Sequence, residues 1–205
     1  MVEPGDKGSE RLMTLRLHTS EGPVTLVSAY APTLTSTAEA KDEFYININS
    51  VVKSIPPKEH VIILGDFNAR VGADHDSWPS CLGHFGIGKC NDNGQRLLEF
   101  CSYNNLCVTN SFFQTKPQHK VSWCHPRSQH WHQLDMTLIR RSNIQLVQIT
   151  RTYHSADCDT DHSLVCCKIR LQPKKLHHSK QKGKLRINTT GMCIHEKVDE
   201  LAKSL

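Results

Sequence analysis

Residues 60–64, His-Val-Ile-Ile-Leu, constrain this chain more than any other stretch. The apolar run is too short for a helix and has no polar face, so it reads as a strand covered on both sides. A sheet packed on both faces implies layers of helix and strand, an α/β fold. Gly65-Asp66-Phe67-Asn68 follows where that strand meets solvent.

The flanking elements agree with such a fold. Leu12 to Leu17 and Val24 to Tyr30 are rich in Leu, Val and Thr, and Ser20-Glu21-Gly22-Pro23 between them reads as a turn. Ser36 and Glu39 have capping-box spacing, and Phe44, Ile48, Val51, Val52 and Ile55 recur at helical intervals until Pro56-Pro57. Residues 70–91 read as loop. Asp92 and Gln95 repeat the capping spacing ahead of Leu97, Leu98, Phe100 and Cys101. Strands are expected near 106–109, 120–124, 132–139, 145–152 and 163–171, the last with Val165, Cys167, Ile169 and Leu171 on one face.

The domain is expected to span residues 11–172, after a disordered start over residues 1–10. Residues 173–205 carry eight of the 25 Lys and Arg and three of the 20 acids, so the rest of the chain is neutral and the +5 net charge lies in this end. Pro173 to Arg186, with Lys174 and Lys175, reads as a basic flexible tail, followed by a short helix at most. The composition, 38% apolar in 205 residues, suits one domain with a real core. No apolar run reaches membrane length and the start is unlike a signal peptide, so an intracellular protein, nuclear or cytoplasmic, not secreted and not membrane-bound, is expected. Nine cysteines without a C-x-x-C pair fit reduced thiols.

Several polar residues sit where apolar ones are expected. Asp66 and Asn68, two apart, can project the same way toward a phosphate or an activated water, or Asp66 simply caps a turn. Asp157, Asp159, Asp161 and His162 crowd like charge just before an apolar strand, which suits a hard cation such as Mg²⁺ or Mn²⁺, or else a solvated loop. Asp135 interrupts an apolar segment and needs a partner, histidine being a common one. Tyr30 ends its strand with a hydroxyl, and His119, His125, His130 and His132 cluster between Lys116 and Asp135, which reads as a surface loop. No Cys or His spacing of structural zinc type occurs.

Ser28-Ala29-Tyr30-Ala31-Pro32, Gly65-Asp66-Phe67-Asn68-Ala69, Gln133-Leu134-Asp135 and Asp161-His162, in this order, resemble the endonuclease/exonuclease/phosphatase superfamily. Within it the chain is most similar to RTE-type retrotransposon endonuclease domains and the craniofacial development protein 2 group. The resemblance implies two packed mixed β-sheets flanked by helices, a four-layer sandwich, and Mg²⁺- or Mn²⁺-dependent hydrolysis of DNA phosphodiesters in a cleft at one end. By motif match, Asp66 would activate the water, Asn68 and Tyr30 would hold phosphate oxygens, Asp161 would bind the metal, and His162, paired with Asp135, would stabilise charge on phosphorus. Trp123 would lie near the substrate. Outside the stretch that carries the resemblance, Lys174 and Lys175 of the basic tail are expected to bind nucleic acid through their charge.

The pattern has departures. The family's first two strands, carrying an Asn and a metal-binding Glu, have no counterpart before Tyr30, so an N-terminally incomplete fold with weak or no activity is expected. Thr160 replaces the usual Ser, and Met136 the usual Tyr or apolar residue. The alternatives are a non-catalytic domain that binds nucleic acid or a protein, and a phosphatase of the same superfamily.

Overall fold

A computed structural model describes residues 2–4, 9–155 and 160–171. In chain order the elements are β1 (Val2–Pro4), β2 (Leu12–Thr19), β3 (Gly22–Tyr30), α1 (Ala38–Ser54), β4 (His60–Asp66), α2 (Asp92–Tyr103), β5 (Leu106–Val108), β6 (Trp123–Cys124), β7 (Trp131–His132), β8 (Asp135–Arg140), β9 (Val147–Tyr153) and β10 (Leu164–Ile169). The basic tail with Lys174 and Lys175, and the acidic residues Asp157 and Asp159, lie outside the described residues.

One mixed sheet of six strands, ordered β1-β2-β3-β4-β8-β5, forms the frame. Only β3 and β4 run parallel, which requires a crossover, and α1 supplies it. On β4, Val61 and Ile63 point to the helices, where they pack with Phe44, Ile48, Val51 and Val52 of α1 and Leu97, Leu98 and Cys101 of α2. Ile62 points the other way and packs with Val24, Cys107, Ile139 and Val147, against Cys167 and Ile169 of the β9–β10 pair. Both faces of β4 are therefore covered, as its composition requires.

Four expectations change. Val2–Pro4 is paired antiparallel with Leu15–Leu17, so part of the stretch read as a disordered start is strand, satisfying the backbone groups of β2's outer edge. The layer opposite the helices is a two-stranded antiparallel ribbon, not a second mixed sheet, and the described residues make three layers, not four. The caps are each displaced by one residue. Thr37, not Ser36, caps α1, because the Ser36 hydroxyl is engaged with that of Thr33; Asn91, not Asp92, caps α2 by accepting from Gly94 N at 2.8 Å. The segment 132–139 splits into β7 and β8, because Gln133 turns its amide to the Lys120 carbonyl and Leu134 gives its carbonyl to Phe67 N.

The described cysteines are free thiols. No described helix is long and apolar enough to cross a membrane.

Candidate active site

Strand register gathers the first part of the site. Tyr30 is paired with Asp66 across β3 and β4, and Asp66 with Asp135 across β4 and β8, so the three share one face at the same end of the sheet. Gly65 makes this possible: at φ +147° it lies so close to β3 that a Cβ would come within 1.9 Å of the Ala29 carbonyl oxygen. The chain then turns sharply. Phe67 is fully buried, and Asn68 takes a left-handed φ of 47°, a conformation asparagine tolerates. Asn68 N donates to Asp66 Oδ1 at 2.8 Å, and Asn68 Nδ2 donates to the Ala31 carbonyl at 2.9 Å.

The second part comes from nearly a hundred residues away. His162 is held by a β-bridge to Trp123 and by Ser163 N donating to the Ser122 carbonyl. Its Nδ1 lies 2.9 Å from Asp135 Oδ2, and its Nε2 faces Asp66 Oδ2 at 4.0 Å, too far for a hydrogen bond. Donation from Nδ1 to Asp135 fixes the tautomer and leaves Nε2 turned toward Asp66. Beside them Trp123 Nε1 donates to Asp161 Oδ2 at 2.8 Å.

The electrostatics differ between the carboxylates. Burial, with smaller contributions from Asp135 and Asp161, raises the Asp66 carboxyl above the usual range, against the opposing Asn68 N–H and His162. Asp161 moves down, chiefly because the Trp123 N–H stabilises its charge. One carboxylate is thus made more basic and its neighbour is kept ionised. That difference suits a base beside an anionic anchor.

Of the anticipated residues, Asp66, Asn68, Asp135 and His162 converge, and Asp161 is tied to them through Trp123, whose ring centroid is 6.3 Å from that of His162. Tyr30 shares the face of Asp66, but its ring is 53% exposed and lies over the Arg11 guanidinium. Three positioning residues were not anticipated. Asn93 Nδ2 donates to the Asn68 carbonyl, Asn110 donates to the Asp135 carbonyl and accepts from Thr137 N, and the Ser122 hydroxyl accepts from Leu134 N and Asp135 N. Asn93 and Asn110 are buried polar residues, and their only signal in the sequence is polarity beside apolar runs.

Residues 24–166 match the family model described as endonuclease-reverse transcriptase. The chain belongs to this family, within the endonuclease/exonuclease/phosphatase superfamily. A family relative, craniofacial development protein 2 of Bos taurus, is 32% identical over 166 residues, 81% of this chain and 28% of that protein, so the chain spans about a quarter of the relative's length. Among solved structures, the endonuclease domain of TRAS1, a telomere-specific non-LTR retrotransposon, aligns with a TM-score of 0.63 at 18% identity, over 84% of this chain and 69% of that one. The 3′ phosphatase NExo from Neisseria, bound to a product DNA hairpin, aligns at 0.55 and 17% identity, over 82% and 70%. At these identities the two structures establish a shared fold.

The family is typically metal-dependent, and the carboxylates of Asp66 and Asp161 are hard donors of the kind Mg²⁺ prefers. Among the described residues, however, no group of three His, Cys, Asp or Glu side chains is arranged to hold a metal ion. These donors alone do not make a complete metal site.

Proposed function

We propose that this chain is a DNA phosphodiesterase domain of endonuclease type, dependent on Mg²⁺ or Mn²⁺ and slow on its own. The observation that carries this reading is the array Asp135–His162–Asp66, with an imidazole anchored on one carboxylate and facing a second, more basic one. In this reading Asp66 takes a proton from the attacking water as the water oxygen bonds to phosphorus; the P–O bond to the leaving sugar oxygen breaks, and that oxygen takes up a proton from solvent. Protonated His162, steadied by Asp135, donates from Nε2 to a phosphate oxygen as charge develops on phosphorus. Asn68 and Tyr30 hold the phosphate, Asp161 is the metal-binding carboxylate, and Trp123 both orients Asp161 and faces the substrate. Slowness follows from the incomplete ligand set among the described residues, since a water misplaced by ~1 Å costs on the order of a hundredfold in rate. Nine cysteines without a C-x-x-C pair fit an intracellular setting, where nuclear or cytoplasmic nucleic acid is the accessible substrate.

The same incomplete ligand set favours a second reading, a non-catalytic nucleic-acid or protein-binding domain. Incubating the protein in excess over supercoiled plasmid, with Mg²⁺ or Mn²⁺, separates the two. Hydrolysis predicts nicking that Asp66→Ala reduces by about 10²–10⁴-fold. Absence of nicking with either ion, alongside retained DNA binding, would favour the second reading. Phosphoinositides offered in the same assay test the phosphatase alternative, and the primary reading expects them to be left intact.

A further inference from the structure

The sheet face opposite the helices is only partly covered. On β2, Met13, Leu15 and Leu17 point to that face, and Thr14, Arg16 and His18 point to the helix side. Such alternation marks the apolar face as the one to be buried. By register Met13 lies beside Ser28 and Leu64, and Leu15 beside Leu26 and Ile62. The β9–β10 ribbon covers Val24 and Ile62, at the end away from Asp66. Nearer Asp66, Met13 is 66% exposed and Leu64 41%, with Leu15 and Leu26 partly exposed beside them.

Two unpaired strand edges border this open face. The hydroxyls of Thr150 on β9 and of Thr109 just after β5 are 2.8 Å apart, so β9 sits on the β5 side of the sheet and β10 nearer β4. Among the described residues β10 pairs with β9 alone and β1 with β2 alone. β10 therefore turns a free edge toward the open half, and β1 ends the sheet on the other side. A hollow of about 280 Å³ lies between β4 and β10, lined in part by Leu64, Met136, Thr137, Leu164 and Val165. Exposed apolar surface beside an unpaired edge is a combination that sheet proteins otherwise avoid.

The composition of the face selects what covers it. Met13, Leu15, Leu26, Ser28 and Leu64 carry no charge, so the face can lie against its own copy without burying an ion. A two-fold rotation, the commonest symmetry of oligomers, lays the open half of one sheet on the open half of another and brings β1 of each copy to the free edge of β10 in the other. Both edges then end against a neighbour, and the assembly closes at two. Strands β2 to β4, about 4.8 Å apart with about 3.3 Å per residue, give a footprint of roughly 400 Å² per copy. The accessible area of the side chains on that footprint is larger, so the pair buries on the order of 1,000 Å², where specific interfaces begin. We propose that this chain forms a two-fold dimer through the open face of its sheet, with Met13, Ser28 and Leu64 in the contact. The proposal stands on the sheet alone and is independent of the hydrolytic reading.

The test is sedimentation velocity of the full chain over about 1–200 µM, where a discrete dimer is expected to grow with concentration. Met13→Glu and Ser28→Lys each place an unpaired charge in the contact twice, once per copy, and each is expected to weaken association at least about 100-fold. Met13→Leu keeps the face apolar and is expected to retain the dimer. Ile46→Glu, on α1 at a position 67% exposed, is expected to change nothing. Thermal melts of each variant separate association from folding. A monomer throughout the range, a dimer indifferent to both Met13→Glu and Ser28→Lys, or open-ended aggregation without a discrete dimer would overturn the proposal. A monomer in which peroxide also fails to oxidise Met13 would assign the cover to another segment of the chain instead.

Discussion

Asp66 carries opposing demands. Its burial keeps the carboxyl above the usual range, so between the ordinary and the raised value the folded protein binds more protons than the unfolded chain. Stability contributed at this residue therefore falls as pH rises through that window. Asp66→Asn removes the charge yet keeps an oxygen to accept from Asn68 N. It is expected to raise the melting temperature at neutral pH, with the gain vanishing below the ordinary carboxylate range, as melts of the two proteins across pH would register. A lowered melting temperature at neutral pH would mean that Asp66 is a structural anchor. The residues of this cluster were legible because their polarity is out of place at the ends of apolar strands. Asn93, Asn110 and Ser122 were not, because each acts on a backbone group at least twelve residues distant, and only the folded chain brings such groups together.

At the scale of elements, the start of α2 supports the turn that carries Asn68. Asn91 Oδ1 accepts from Gly94 N and from Arg70 N, and Asn91 N donates back to the Arg70 carbonyl. Asn91→Ala thus removes a helix cap and a tether together, and a loss of about 1–2 kcal/mol is expected in denaturant unfolding. Gly94→Ala is expected to cost more, because a Cβ there would sit 1.8 Å from the Arg70 carbonyl oxygen. The reverse order would place the tether elsewhere. The existence of both helices and the buried stripe of α1 could be read from periodicity. Their caps were displaced because Ser36 and Asp92 stand at suitable spacing, and the choice of Thr37 and Asn91 depends on Thr33 and Arg70 taking part. The split of the 132–139 segment was hidden for the same reason, since Leu134 leaves the ladder to serve Phe67 N, a partner 67 positions earlier.

Across the whole molecule, the apolar run at residues 60–64 required cover on both faces, and the fold supplies it with helices on one side and the β9–β10 ribbon on the other. How many strands would make that second layer could not be read from periodicity, which specifies faces and not partners, and the expected second mixed sheet is a pair. Charge is also distributed at this scale. The body is balanced and the excess lies in residues 173–205, so deleting them is expected to reduce the slope of log K for DNA against log salt by about 0.9 for each phosphate that the shortened protein no longer neutralises. An unchanged slope would assign the affinity to the body alone. The central claim is that Asp66 and His162 act as one unit, and the most direct measurement compares plasmid nicking at enzyme excess by Asp66→Ala, His162→Ala and the double variant. Residues sharing one reaction step lose their effect once, so the double variant is expected to be no slower than the worse single one. Losses that multiply, or nicking that survives both substitutions, would contradict it.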